Sequence, residues 1–207
     1  NLKNAKEWKQ LLQVEGFLEK QLGLNAVTLR DDIFGDAVLF VYRPGPVGQP
    51  DREQGLILLH AASEKTLVTL VERLNTLQRE TGELKKLVRQ QYRGLTYFRR
   101  EEAHRTNYYL LQGPILLFTG QESFLKEAID QHRSSRESKE ATLARRLKDT
   151  KLDEAMVALL VNPRVWDSAF PHRPEDAASK QFASLWKAFQ GVGIGLVLQK
   201  DVQVSMA

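Results

Sequence analysis

Chemistry-bearing residues are densest between Lys85 and Arg105, where Lys86, Arg89, Arg93, Arg99 and Arg100 are interleaved with Tyr92, Tyr97 and Phe98. Cations spaced among aromatic rings suit a polyanion, because guanidinium groups hold phosphates while the rings stack on bases. Arg89, Arg93, Arg99 and Arg100 are therefore the candidate anion-binding residues. Three features weigh against them. Neighbouring residues of a strand point to opposite faces, so Tyr97 and Phe98 cannot line one surface. Glu101 and Glu102 offset part of the charge, and no Arg-Gly-Phe type ribonucleoprotein signature is present. A second basic cluster, Arg133 to Lys151, has acidic neighbours and reads as solvated linker charge.

Other chemistries have less behind them. His60, His104, His132 and His172 lack a second ligand-type residue at the spacing of a zinc motif. His60 is placed at the end of a strand and His132 at the end of a helix, where an imidazolium favours the negative dipole end, so both read as structural. Asp31-Asp32 and Glu101-Glu102 are adjacent pairs, which in a strand diverge and cannot share a substrate. The chain has no cysteine, which excludes a thiol nucleophile, a disulfide framework and cysteine-ligated metal centres. No Gly-x-Ser-x-Gly elbow exists. Gly191, Gly193 and Gly195 have the look of a nucleotide-binding loop, but they lead into strand residues rather than a helix N-terminus, so no dipole meets a phosphate. Their alternation instead leaves a bare strip on one face of a strand, against which Trp186 or another bulky residue can lie. No catalytic residue, metal site or cofactor is assigned.

The elements that would position these residues follow from periodicity. Trp8, Leu11, Leu12, Leu18 and Leu22 share a helical face over residues 3–22, with Gly23 as the cap. Residues 37–43 and 56–59 read as strands, separated by a Pro/Gly-rich loop at 44–50. Ser63 stands at an N-cap position before the stripe Leu67, Leu70, Val71, Leu74 and Leu77, a helix expected to continue towards Val88. Residues 95–100, 108–112 and 115–118 form an antiparallel meander, broken at Gly113-Pro114 and followed by a helix through Phe124, Leu125 and Ile129. A polar connector over 132–151 carries a short helix near Leu143 and Leu147. Residues 155–161, apolar throughout, are expected as a strand covered on both faces. A helix beginning at Pro174, a strand at 192–198, a tight turn at Lys200-Asp201 and a returning terminal strand complete the order.

The passages Gly55–Val71 and Gly113–Ile129 align without gaps, sharing the Gly, an Ile-Leu-Leu triplet, Glu64 with Glu122, and Leu67 with Leu125. Both read as a strand running through a short turn into an amphipathic helix, one device used twice. The fold class is α+β, a largely antiparallel sheet with helices packed on it. A chain of 207 residues suits a single domain, with 1–132 and 133–207 as the alternative subdivision. Its apolar runs are only strand length, far below the roughly 20 residues of a membrane helix, so no transmembrane segment is expected. Net charge is +4 and the isoelectric point is near 9.3, which permits an anionic partner without requiring one. The chain starts at Asn1, and the alternation of Val202, Val204 and Met206 is unfinished at its end, so excision from a longer protein is expected.

The helix ending Gln21-Leu22-Gly23-Leu24, the strand Gly35–Val41, the strand-helix Gly55–Leu74, Gly94–Phe98, Tyr108–Thr119 and the helix Glu122–Ile129 carry a resemblance. Over most of its length the chain resembles a domain-of-unknown-function family of exported bacterial proteins, well represented among planctomycetes. The resemblance implies an extracytoplasmic setting, periplasmic or at the cell envelope, and a longer parent protein. It transfers no reactive residue. The leading expectation is a non-catalytic structural or interaction domain acting through sheet edges and loops. The alternatives are a polyanion- or nucleic-acid-binding domain and an enzyme whose site converges only in three dimensions.

Overall fold

The structure, a computed structural model, describes residues 16, 19–34, 37–46, 48–49, 52–137, 142–155, 157–169, 177–188, 191–198 and 202–206. The architecture is α+β, and contacts divide it into two units: residues up to 42 with 54–129, and 43–53 with 130 onwards. Among the described residues no helix is long and apolar enough to cross a membrane.

The first unit is organised by strand alternation. Its strands are β1 (Ala37–Arg43), β2 (Gln54–His60), β3 (Leu84–Tyr92), β4 (Leu95–Glu102), β5 (Thr106–Gln112) and β6 (Ile115–Thr119), in the spatial order β1-β2-β6-β5-β4-β3. β3 to β6 are the antiparallel meander, with Phe98 opposite Tyr109 and Tyr109 opposite Phe118. The helices α1 (Glu64–Glu80) and α2 (Glu122–Glu137) take one face each. On the α1 face Leu67 and Val71 pack with Leu59, Tyr109, Phe98 and Phe118; on the other, Leu125 and Ile129 pack with Tyr97, Leu110 and Leu117. Side chains adjacent in sequence thus enter different cores, as a period of two demands. Leu67 and Leu125 are both fully buried, each contributing on the order of 2 kcal/mol relative to exposure.

Three local features set the boundaries. Ser63 caps α1, its hydroxyl accepting from the Thr66 amide at 3.3 Å. The helix ends at Glu80 rather than running towards Val88, because Gly82 adopts a φ of +74° and its amide closes the turn onto the Arg79 carbonyl. The residues beyond it form β3, a strand that the helical reading of this stretch had absorbed. β3 and β4 are joined by Arg93 and Gly94, with φ of +52° and +79°, the two left-handed positions of a two-residue hairpin turn. At the chain's start, residues 19–22 are helical and Gly23, at φ +60°, terminates them; residues 1–15, with Trp8, Leu11 and Leu12, lie outside the described residues.

The second unit holds α3 (Thr142–Asp149), β7 (Val157–Val161), a 3-10 turn at Pro163–Ala169, α4 (Ala177–Ala188), β8 (Val192–Leu198) and β9 (Val202–Met206). β8 is central, antiparallel to both neighbours. The glycine strip of β8 is filled by Leu152, not Trp186: a Cβ on Gly193 would lie 2.7 Å from Leu152 Cδ1, and one on Gly195 would lie 2.4 Å from Cδ2. Trp186 is held elsewhere, its indole N–H donating to Asp167 at 2.8 Å and its ring stacked with Phe182. β7 is not covered on both faces, since Val157 and Leu159 are each more than half exposed. The start expected at Pro174 and the Lys200-Asp201 turn lie outside the described residues.

Candidate functional site

The hairpin β3–β4 distributes the four candidate arginines by strand parity. Arg89 lies opposite Phe98 and Arg100 opposite Leu87, which puts both on the α1 face. Arg99 projects to the α2 face, where Glu101 sits 3.1 Å away, and Arg93 occupies the turn with its guanidinium over the Tyr92 ring. The four are therefore not brought together. Tyr97, one of the rings interleaved with these cations, is 2% exposed and donates its hydroxyl proton to Glu122. Lys126 lies 2.8 Å from Glu122 and 5.3 Å above the Tyr92 ring.

Arg100 belongs instead to a buried polar network. Its guanidinium donates to Gln78 of α1 and lies 3.4 Å from Glu102. Glu102 also accepts from Arg105 at 2.7 Å and from Asn107 at 3.0 Å. Nearby, Asn75 stands on the buried stripe of α1 at 5% exposure and donates to the Tyr109 hydroxyl at 3.2 Å. Sequence reading missed this network because it crosses from helix to sheet. Its one legible signal was an asparagine four residues after Val71 on an otherwise apolar stripe.

The network closes one end of an open groove of about 320 Å³ on the α1 face. Gln78, Arg100, Glu102 and Arg105 line that end, and Phe34, Val38, Ile57, Leu74, Leu116 and Phe118 supply the apolar remainder. Towards β1 the apolar surface continues into solvent: Phe34 is 57% exposed, Val38 54% and Phe40 65%. β1 is also an outer strand of the sheet. The opposite outer strand, β3, presents exposed Lys85, Lys86 and Arg89. Charged edges resist strand addition and apolar ones invite it.

Two carboxylates, Glu102 and Glu122, are held ionised by their donors. Burial would raise the pKa of Glu102, but the hydrogen bonds from Arg105 and Asn107 and the charge of Arg100 keep it below the usual carboxylate range. Glu122 is lowered by Lys126 first and Tyr97 second. Both are acceptors locked onto donors, unsuited to giving up a proton near neutral pH. Tyr109 is raised, chiefly by burial. Asp31 and Asp32 lie on a helical turn rather than a strand and still diverge, Asp31 to Arg30 at 2.6 Å and Asp32 to the Thr66 hydroxyl at 2.9 Å. His60 ends β2 as expected, whereas His132 lies within α2, not at its end. Among the described residues no group of three or more carboxylates and histidines could hold a metal ion. No family model, no curated protein and no solved structure matches the chain, so its function is read from its own geometry.

Proposed function

We propose that this chain is a non-catalytic interaction domain of an exported bacterial protein, and that it binds a protein partner along β1. The carrying observation is the contrast between the two edges of one sheet. β3 is guarded by cations, while β1 carries Val38 and Phe40, each more than half exposed. A partner presenting an extended apolar segment would add a strand there, gaining main-chain hydrogen bonds from β1 and side-chain contacts with Phe40 and Phe34. The exported setting is supported by the family resemblance. The polyanion alternative draws less support, because Arg99 and Arg100 serve opposite faces and each is matched by a glutamate within 3.4 Å.

A photo-cross-linking amino acid placed at Phe40 tests the reading, with the same group at Lys85 of β3 as the comparison, in cells making the full-length protein. A discrete adduct from position 40, retained at high salt and lost when Val38→Lys is added, is the expected result. Adducts from both positions, or from neither, would show that β1 is not the docking edge. Dependence of the adduct on low salt would favour an ionic partner instead.

A further inference from the structure

The groove has two chemically distinct halves, and that division points to its ligand. Its floor is the α1 face of β2 and β6, where Ile57 stands opposite Phe118, and Leu74 of α1 supplies an apolar wall. The far end is polar and its formal charges do not cancel: Arg100 and Arg105 carry two positive charges against one on Glu102. Glu102 is ionised and fully engaged, so it fixes the two guanidiniums without neutralising both. Arg105 remains open to solvent, with 72% of its side chain exposed. Arg100 is 8% exposed, and its Nε–H has no acceptor among the described residues. That nitrogen is itself closed to solvent, so the exposed guanidinium of Arg105 is the group a ligand in the groove reaches first.

We infer that the groove binds a long-chain aliphatic carboxylate, its head at Arg105 and Arg100 and its chain along Ile57, Leu74 and Phe118. The excess of one positive charge suits a monoanion, and a carboxylate can accept from guanidinium N–H groups at two oxygens. The volume lies at the small end of the roughly 300–1,000 Å³ range of small-molecule sites, enough for one alkyl chain and too little for a folded partner. The groove shares Val38 and Phe34 with the β1 surface but not Phe40, so a change at Phe40 separates this site from the docking edge.

Dodecanoate below its micelle concentration, titrated calorimetrically into the full chain, is the test, with dodecanol and a leucine-rich peptide bearing a free C-terminus as comparisons. Saturable one-site binding of dodecanoate is expected, roughly ten- to hundredfold tighter than dodecanol, the difference being the carboxylate–guanidinium bonds. Arg105→Gln should weaken dodecanoate by roughly tenfold, and Ile57→Asp should abolish binding, while Phe40→Asp leaves it unchanged. Melting curves establish that each variant is folded; should Ile57→Asp fail to fold, Ile57→Thr is expected to weaken binding measurably. Equal affinity for dodecanoate and dodecanol, unaltered binding in Ile57→Thr, or no saturable binding would overturn the inference. Tighter binding of the peptide would replace the alkyl ligand with a chain terminus.

Discussion

Replacing Gly195 by alanine should destabilise the second unit by about 1–2 kcal/mol, the sum of two opposed effects. The new methyl carbon would lie 2.4 Å from Leu152 Cδ2 and 3.2 Å from the Ala155 methyl. Carbon atoms pack at about 3.5–4.0 Å, so Leu152 must retreat by about 1 Å. It is 2% exposed and already rests against Gly193, so the retreat cannot be a simple swing into solvent. Overpacking of this kind costs about 1–3 kcal/mol. Restricting the unfolded chain by replacing glycine returns about 0.4–1 kcal/mol, since the φ of Gly195 is not in the left-handed region. Leu152→Ala alone should cost about 2–5 kcal/mol through the cavity it leaves. The double variant is the decisive measurement. With the leucine truncated the methyl at 195 meets no Cδ atom, so the pair should be less destabilised than the sum of the singles by about 1–2 kcal/mol. Urea unfolding monitored by tryptophan fluorescence and circular dichroism gives all four corners of the cycle, with Gly195→Ala lowering the midpoint by roughly half to one molar. A neutral Gly195→Ala, or strict additivity in the cycle, would refute the packing of Leu152 on β8.

Four further outcomes are expected. Tyr109→Phe removes the acceptor of the buried Asn75 amide and should cost about 1–3 kcal/mol in chemical denaturation, whereas adding Asn75→Leu should recover much of that loss. Glu102 has a folded pKa below its unfolded value, so its stabilising contribution is complete above about pH 4.3 and is lost as pH falls through the lower, folded pKa; Glu102→Gln should reduce stability at neutral pH and flatten the acid limb of a midpoint-versus-pH series. Arg93→Asn suits the left-handed first position of the β3–β4 turn and should raise the melting temperature, while Gly94→Ala, at φ +79°, should lower it. Val38→Lys, at a position 54% exposed, should change stability by no more than about 0.5 kcal/mol in the same denaturation assay while abolishing the cross-link from position 40.

Elements with a strong period or a decisive turn were legible in the sequence. Ser63 marked the start of α1, Gly113-Pro114 marked the β5–β6 turn, and the alternation of glycines in β8 gave a packing strip. β3 was lost because Leu84, Leu87 and Val88 fit a helical continuation of α1 as well as a strand, and only Gly82 separates the two. β7 was read as covered because a run of apolar residues carries no record of which face is exposed; Val157 and Leu159 show that composition alone does not assign burial. For the arginines, strand parity already implied divergence, yet the partner of Arg100 on α1, Gln78, depends on tertiary approach and leaves no local pattern. The groove is of the same kind: its lining residues span 84 positions of the sequence, from Phe34 to Phe118.

The unequal edges of the sheet also govern symmetry. If the strand added to β1 came from a second copy of the chain, the two β1 strands would pair about a two-fold axis and use up the open edge of both molecules. Growth would then require β3, where Lys85, Lys86 and Arg89 would face another cationic edge or an already occupied one. Association through this sheet therefore terminates at a closed pair, and replacing Lys85 and Lys86 by valine would turn a self-limiting contact into one that can propagate as a fibre.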